Sequence, residues 1–156
     1  MIRARVITCS DTASRGERED RSGPAVREIL IEHGFDVELV VVPDDVAAIA
    51  AAIANANARL VVTTGGTGIA PRDVTYPTLK RMFDSEIPGF GELFRQLSFR
   101  EIGSATLLSR AVGGLVSGKV VLALPGSPKA LRLALDEIVI PEADHLVSQA
   151  RGPGAP

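Results

Sequence analysis

A chain of 156 residues, 46% of them hydrophobic, suits one compact domain and little more. With 17 basic against 19 acidic side chains, a net charge of −2, one Tyr, five Phe and no Trp, it offers neither the basic footprint nor the stacking platform of a nucleic-acid binder. The lone Cys9 excludes an internal disulfide and fits a reducing, cytoplasmic setting; no apolar run nears the roughly 20 residues of a membrane helix, and the start has no signal-peptide pattern.

Arg5 to Cys9 reads as the first strand, with Ser10-Asp11-Thr12 at its carboxyl end. A polar, charged segment follows through Arg21. It is either a solvated loop or part of a site, since open α/β sheets keep ligands beyond their strand carboxyl ends. Ser22 is placed to cap a helix begun by Pro24, with Val26, Ile29 and Leu30 on one face and Gly34 as its stop. Phe35 to Val42 is the second strand. Pro43-Asp44-Asp45 then opens an Ala-rich helix on which Val46, Ile49 and Ile53 recur at helical spacing. One of the two aspartates caps that helix; the other is left at the strand's carboxyl end.

The densest chemistry lies in residues 60–75, LVVTTGGTGIAPRDVT. Leu60-Val61-Val62 has the signature of a buried strand. Thr63-Thr64-Gly65-Gly66-Thr67-Gly68 follows, then Arg72, Asp73 and Thr75, the last placed to cap a helix. Glycines let successive backbone N–H groups converge on phosphate oxygens. Thr63, Thr64 and Thr67 add hydroxyl donors, Arg72 a cation, and Asp73 a carboxylate suited to magnesium. A Gly-Gly turn alone need only reverse the chain, and the spacing matches neither the dinucleotide nor the Walker pattern. The Arg-Asp pair is what a plain turn does not need.

Downstream, Thr75 and Pro77 start a helix carrying Leu79, Met82 and Phe83; Phe90, Leu93, Phe94, Leu97 and Ile102 mark another, ending at Gly103. Ala111 to Leu115 and Val120 to Leu124 are strands joined by the turn Val116 to Lys119. Gly113, Gly118 and Lys119 imitate a Walker start, but Val120 stands where Ser or Thr is required, and the segment enters a strand instead of a helix. Leu124-Pro125-Gly126-Ser127-Pro128-Lys129 is a second strand–glycine–helix junction. There Ser127 is placed as a cap, Gly126 permits close backbone approach, and Lys129 is left over by a purely structural reading. Leu131 to Ile138 continues as helix, and Pro141 restarts a last one to about Gln149, leaving 151–156 as a disordered tail beyond a single domain, 1–150. His33 and His145 lack zinc-ligand spacing. Alternating β–α units predict an α/β fold with a mostly parallel, doubly wound sheet.

Ser10-Asp11, Asp20-Arg21-Ser22-Gly23, Pro43-Asp44, Thr63 to Gly68, Arg72-Asp73-Val74-Thr75, Pro88-Gly89-Phe90, Leu108-Ser109-Arg110 and Leu124 to Pro128 occur in this order. In this the chain resembles the MoaB/Mog family of molybdenum-cofactor biosynthesis, whose fold also forms the gephyrin G domain. The resemblance runs from Arg5 to about Val147. It implies a three-layer α/β/α sandwich, a homo-oligomer (trimer or hexamer), and molybdopterin and ATP as ligands. It also implies Mg-ATP-dependent adenylylation of molybdopterin with release of pyrophosphate, and the molybdenum-insertion enzyme of the same pathway as a partner.

On that resemblance, Asp44 and Asp73 are the catalytic, Mg²⁺-holding pair. Ser10, Asp11, Thr64, Gly65, Gly66, Thr67, Gly68, Arg72, Gly126, Ser127 and Lys129 line the ligand site. The first glycine turn would take ATP, because Arg72 and Asp73 adjoin it; the second, without a carboxylate, would take the pterin phosphate, with Ser127 facing the pterin. Residues 86–114 look like the MoaB branch, some of whose members lack the activity, and Tyr76 departs from the Pro-Glu that many transferases place after the Thr. The competing classes are a non-catalytic molybdopterin-binding scaffold and a hydrolase akin to competence-damage proteins. Met82, Phe83, Phe90, Phe94 and Phe99 together look too apolar for a monomer surface.

Overall fold

Strict alternation of buried side chains builds the centre of the sheet. In the computed structural model, which describes residues 1–152, Arg3–Cys9 (β1), Leu60–Thr64 (β3) and Lys119–Leu124 (β6) lie side by side and parallel. Ala4, Val6, Leu60, Val62, Val120 and Leu122 enter one apolar layer; Ile7, Cys9, Val61, Val121 and Ala123 enter the other. Strands buried on both faces read as continuous apolar runs, as these do. Asp36–Val42 (β2) adds to β1 in parallel, while Val112–Val116 (β5) and the two-residue Ser85–Glu86 (β4) extend the other edge antiparallel. The order is β2-β1-β3-β6-β5-β4.

One layer of helices contains Ser22–Glu32 (α2), Pro88–Ile102 (α5), Pro128–Ala134 (α6) and Ile140–Arg151 (α7). The other contains Val46–Ala54 (α3) and Thr75–Met82 (α4). The predicted α/β/α sandwich is therefore the observed one. Among the described residues, no helix is long and apolar enough to cross a membrane.

The departures have physical causes. A short helix, Asp11–Ser14 (α1), stands in the polar segment, and Ser10 Oγ caps it by accepting from the Ala13 N–H at 3.2 Å. Helix α2 begins at Ser22, so Ser22 is not its cap. Asp20 Oδ1 takes that role, accepting from the Gly23 N–H at 3.1 Å. Thr75 likewise lies inside α4, after Val74, and caps nothing.

Pro141 stands in the first turn of the last helix, as expected, but no break precedes it. The chain passes from α6 to α7 through a π-type turn at Leu135–Val139, because a proline lacks the N–H and crowds the carbonyl four residues back. Arg151 is the last residue of α7, Gly152 follows it, and the rest of the predicted tail lies outside the described residues. Ser117 and Gly118, at φ 49° and 76°, turn the β5–β6 hairpin. Lys119 of the Walker imitation instead donates to the Ile53 and Ala54 carbonyls at 3.1 and 2.8 Å, closing the carboxyl end of α3.

The aromatic count divides. Phe90 and Phe94 are core, Met82 and Phe83 pack partly buried on α3's layer, and Phe99 stays 60% exposed. Phe94 is 1% exposed and joins α5 to the larger apolar layer. Truncating it as Phe94→Ala should cost about 3–5 kcal/mol, read as a lower urea midpoint with the slope unchanged.

Candidate functional site

The register brings every predicted site segment to one edge. Thr8 pairs with Thr64 and Thr64 with Leu124, so β1, β3 and β6 end in step. The turns that follow them emerge together. The Gly65 N–H donates to the Leu124 carbonyl at 3.0 Å, carrying the β3–β6 ladder one residue into both glycine turns. A Cβ built on Gly126 would meet only the Gly65 Cα, at 3.8 Å. The two anion-ready turns are thus walls of one site.

Gly65 and Gly66, at φ 86° and 71°, take the left-handed conformation that glycine alone adopts without strain. Gly66 also has no room for a side chain, since a Cβ there would lie 2.2 Å from Thr75 Oγ1. Beyond them the chain is clamped. Arg110 donates to the Gly68 carbonyl through Nε (3.0 Å) and to the Asp73 carbonyl through Nη2 (3.1 Å), and its backbone N–H donates to the Thr67 carbonyl at 2.9 Å. Its guanidinium lies 4.8 Å from the centroid of the Tyr76 ring, which gives the unexpected Tyr76 a role as a cation–π platform.

Three carboxylates crowd the rim. Asp11 and Asp44 grip each other's backbones: the Asp44 N–H donates to Asp11 Oδ1 at 2.9 Å and the Asp11 N–H to Asp44 Oδ2 at 3.2 Å. Asp45 is the cap of α3, accepting from the Ala48 N–H at 2.9 Å, which leaves Asp44 to the site. Asp73 Oδ2 accepts from the Ala70 N–H at 3.1 Å and fills the space that Gly68 leaves open. The Asp44 carboxyl is held above its ordinary value, chiefly by burial. The Asp11 backbone N–H opposes that shift, the charges of Asp11 and Asp73 reinforce it, and Arg72 lowers it. A crowded carboxylate short of countercharge is the donor set a hard cation would relieve. Among the described residues no three acidic, His or Cys groups converge as a ready-made cage. Two carboxylates plus ligand oxygens and water is the arrangement magnesium takes beside phosphates, and these residues fit it.

The remaining predicted residues are less uniform. Thr64 is fully buried, its hydroxyl 2.9 Å from Ser22 Oγ on the α2 side. Thr67 is 3% exposed, and the Thr63 hydroxyl is buried without a partner, so neither side chain is open to solvent as the turn's surface would require. Arg72 is exposed and makes no ion pair among the described residues. Ser127 occupies the cap position of α6, but its hydroxyl makes no capping bond and is exposed. Lys129 Nζ is engaged by Glu101 of α5 at 2.8 Å. Cys9 stays a neutral thiol, since burial pushes its pKa up to about 12.

Ser10, Asp20, Ser22, Thr64, Gly65 and Gly126 line a cavity of about 330 Å³ beside the turns. A cavity of about 420 Å³ sits at the opposite pole, against Arg3, Arg59 and Lys119, far from this chemistry. Asp20 and Arg110 stand in the segments Asp20-Arg21-Ser22-Gly23 and Leu108-Ser109-Arg110 that carry the resemblance, but the sequence assigned neither a role at the site. Asp20 by itself reads as one acid in a charged run, and Arg110 reaches the Gly68 and Asp73 carbonyls across 42 and 37 residues.

A family model described as a probable molybdopterin-binding domain matches residues 5–145. The chain is similar to a molybdopterin adenylyltransferase of Pyrococcus furiosus, 45% identical over 153 residues that cover 94% of this chain and 89% of that one. It is 43% identical over 151 residues to molybdenum cofactor biosynthesis protein B of Bacillus cereus, covering 93% and 88%. The solved structure of the tungsten cofactor synthesizing protein MoaB from Pyrococcus furiosus superposes with a TM-score of 0.90 at 42% identity, over 97% of this chain and 98% of that one.

A raised carboxyl pKa means that the folded protein holds the Asp44 proton more tightly than the unfolded chain does. The stabilising difference is then fully present below the ordinary value of 3.8 and is lost as pH rises through the shifted value. Asp44→Asn should therefore raise Tm at pH 7 in magnesium-free buffer, and the gain should vanish below about pH 3.8, as calorimetry at several pH values would read. Arg110→Lys keeps the charge but loses the two-pronged grip and the flat stack on Tyr76. It should cost about 1.5–3 kcal/mol in urea unfolding.

Proposed function

This chain belongs to the family of probable molybdopterin-binding domains, and from that premise we propose that it adenylylates molybdopterin with Mg-ATP. A phosphate oxygen of molybdopterin attacks the α-phosphorus of ATP. One P–O bond forms there, the bond to the bridging oxygen breaks, and pyrophosphate leaves with that electron pair. The nucleophile is already an anion, so the site needs no strong base. Its work is to align two negative groups and screen their repulsion.

The observation that supports this reading best is the fusion of the two glycine turns by the Gly65-to-Leu124 bond, with Asp44 and Asp73 at the rim. Two phosphate groups held on adjoining turns are already neighbours. Backbone N–H groups of Gly65 to Gly68 would hold the ATP phosphates, with Arg72 as an adjoining cation. The Gly126–Ser127 turn would hold the pterin phosphate, its exposed Ser127 hydroxyl turned to that ligand. Lys129, paired with Glu101, contributes at most a distant charge. Asp44 and Asp73 would hold magnesium, which when bound supplies the charge screening the phosphates need. Asp11 keeps Asp44 in place through the reciprocal backbone bonds.

The decisive assay incubates the protein with Mg-ATP and molybdopterin and follows adenylyl-molybdopterin and pyrophosphate. Both should form in equal amounts, and Asp73→Asn should cut turnover by orders of magnitude with an unchanged circular dichroism spectrum. Binding of molybdopterin without product would point to a scaffold, and product-free phosphate release to a hydrolase. Gly126→Ala is the cleaner probe of the second turn, because its Cβ meets nothing closer than 3.8 Å, whereas any side chain on Gly66 would displace Thr75. It should weaken molybdopterin binding more than Mg-ATP binding in calorimetric titrations.

The same reading extends to a homo-oligomer, trimer or hexamer, that hands its product to the molybdenum-insertion enzyme. Phe99 (60% exposed), Ile102 (55%), Leu107 (74%) and Leu108 (48%) support it, as large apolar groups left on neighbouring surface of α5 and the turn after it. Light scattering at micromolar concentration should give a multiple of the 16.4 kDa chain; a monomer alone would overturn the assembly.

A further inference from the structure

We propose that the pole of the sheet opposite the glycine turns is a second anion site, one that takes an oligophosphate chain without magnesium. The inference does not rest on the adenylylation reading, because it uses residues at the amino ends of the strands that the reaction leaves idle. A cavity of about 420 Å³ opens there, lined by Arg3, Arg59, Lys119 and Arg151. Among the described residues that line it there is neither a carboxylate nor an aromatic ring. In a chain of net charge −2, four cations around one cavity are not an average sample of the surface.

The sheet's register sets three of these cations in a row. Ala4, Leu60 and Val120 pair across β1, β3 and β6. One step earlier stand Arg3, Arg59 and Lys119. Backbone bonds join them: the Arg59 N–H donates to the Arg3 carbonyl and the Val120 N–H to the Arg59 carbonyl, each at 2.9 Å. Like charges abreast on adjoining strands repel, so the row costs stability. The protein offsets only part of that cost. Asp36 takes Arg3 at 3.3 Å in a pair whose side chains are more than half exposed, which contributes little. Lys119 Nζ donates to the Ile53 and Ala54 carbonyls, and burial, then the charge of Arg5, lower its pKa. Arg59 and Arg151 are exposed and make no ion pair among the described residues. Arg151 ends α7, in the helix layer opposite to α3, so the cations close on the cavity from both sides of the sheet.

This arrangement defines the chemistry of the ligand. Guanidinium groups grip phosphate oxygens through paired N–H donors, and Lys119 keeps one donor beyond the two that α3 uses. Adjacent strands lie about 4.8 Å apart, so the row spans about 10 Å and matches several negative charges along a line rather than one. A triphosphate chain has that form, whereas a single orthophosphate meets only part of the row. With no carboxylate in the wall, nothing holds magnesium, and the metal in solution competes for the phosphates. The rim of Asp44 and Asp73 at the other pole has the opposite preference. With no aromatic ring in the wall, a nucleobase finds no platform, so the phosphate chain is recognised and whatever it is attached to is not.

The test reads this pole locally, because the glycine turns also attract phosphate. Asn57 is exposed on the cavity wall and the one native thiol, Cys9, is buried, so Asn57→Cys in the full chain takes a bimane fluorophore at the site alone. Tripolyphosphate, titrated in EDTA at low ionic strength, should change the fluorescence with a submillimolar midpoint. Orthophosphate should be at least tenfold weaker, ATP within threefold of tripolyphosphate, and excess magnesium should weaken both chains. Adding Arg59→Gln, or Arg151→Gln, should weaken tripolyphosphate at least tenfold with an unchanged circular dichroism spectrum. If the labelled protein fails to fold, calorimetric titration of the unlabelled chain against its Arg59→Gln variant in EDTA decides the matter, since binding at the glycine turns is common to both. No response at millimolar tripolyphosphate, a response that sodium chloride of equal ionic strength reproduces, or one that survives both substitutions would overturn the site. ATP binding tenfold more tightly than tripolyphosphate would overturn recognition by the phosphate chain alone. An oligoglutamate peptide that binds more tightly than tripolyphosphate would give the pole to an acidic protein segment and overturn the small-ligand reading.

Discussion

One backbone hydrogen bond, from the Gly65 N–H to the Leu124 carbonyl, holds the functional edge together. It exists because β1, β3 and β6 run parallel and end in step, so the chain leaves each strand at the same height. Parallel strands expose their next N–H groups and carbonyls in one direction. A glycine at that point lets the turn bend over the strand end without a Cβ striking the neighbouring backbone. On Gly65 such a carbon would lie 2.6 Å from the Cys9 carbonyl. The site follows from the sheet's register, with helices α2, α4 and α6 starting where the turns deliver them.

The acidic rim works against the fold. Burial raises the Asp44 pKa most, and the nearby charges of Asp11 and Asp73 raise it further. The backbone N–H groups donated by Asp11 and Asp44 to each other's carboxylates offset part of that repulsion without removing charge from the rim. A surface under no pressure to bind would place Lys or Arg there. The nearest cation in play is Arg72, which is exposed and moderates the crowding but does not neutralise it. Crowded, partly desolvated carboxylates cost local stability, which is the kind of arrangement found where a site trades stability for function.

Most of the architecture was legible in the sequence because it is written in local periodicity. The central strands, a cap among Asp44 and Asp45, the hairpin at Ser117-Gly118 and the two glycine turns all follow from neighbours within a few positions, whereas the short helix α1 and its Ser10 cap were not read from them. What escaped reading is long-range. The Lys129–Glu101 pair, the Arg110 clamp and the Asp20–Thr8 contact join residues whose partners only the folded chain selects. The π-type turn before Pro141 escaped for another reason: the irregularity itself buries Leu135, Ile138 and Val139 in the same apolar layer as the helices on either side of it. Ser22 was misread as a cap through a shift of two residues. That shift changes its chemistry from holding a helix end to lining a cavity.

Arg110 carries an implication for the order of folding. Its guanidinium holds the Gly68 and Asp73 carbonyls from just ahead of β5, so the loop after the first glycine turn takes its shape from chain 42 and 37 residues later. Closing that span costs entropy before any of the clamp's bonds form. The Gly68-to-Asp73 loop is therefore one of the parts of this molecule whose conformation local sequence alone does not determine, and it is held in shape only once Arg110 has come into place.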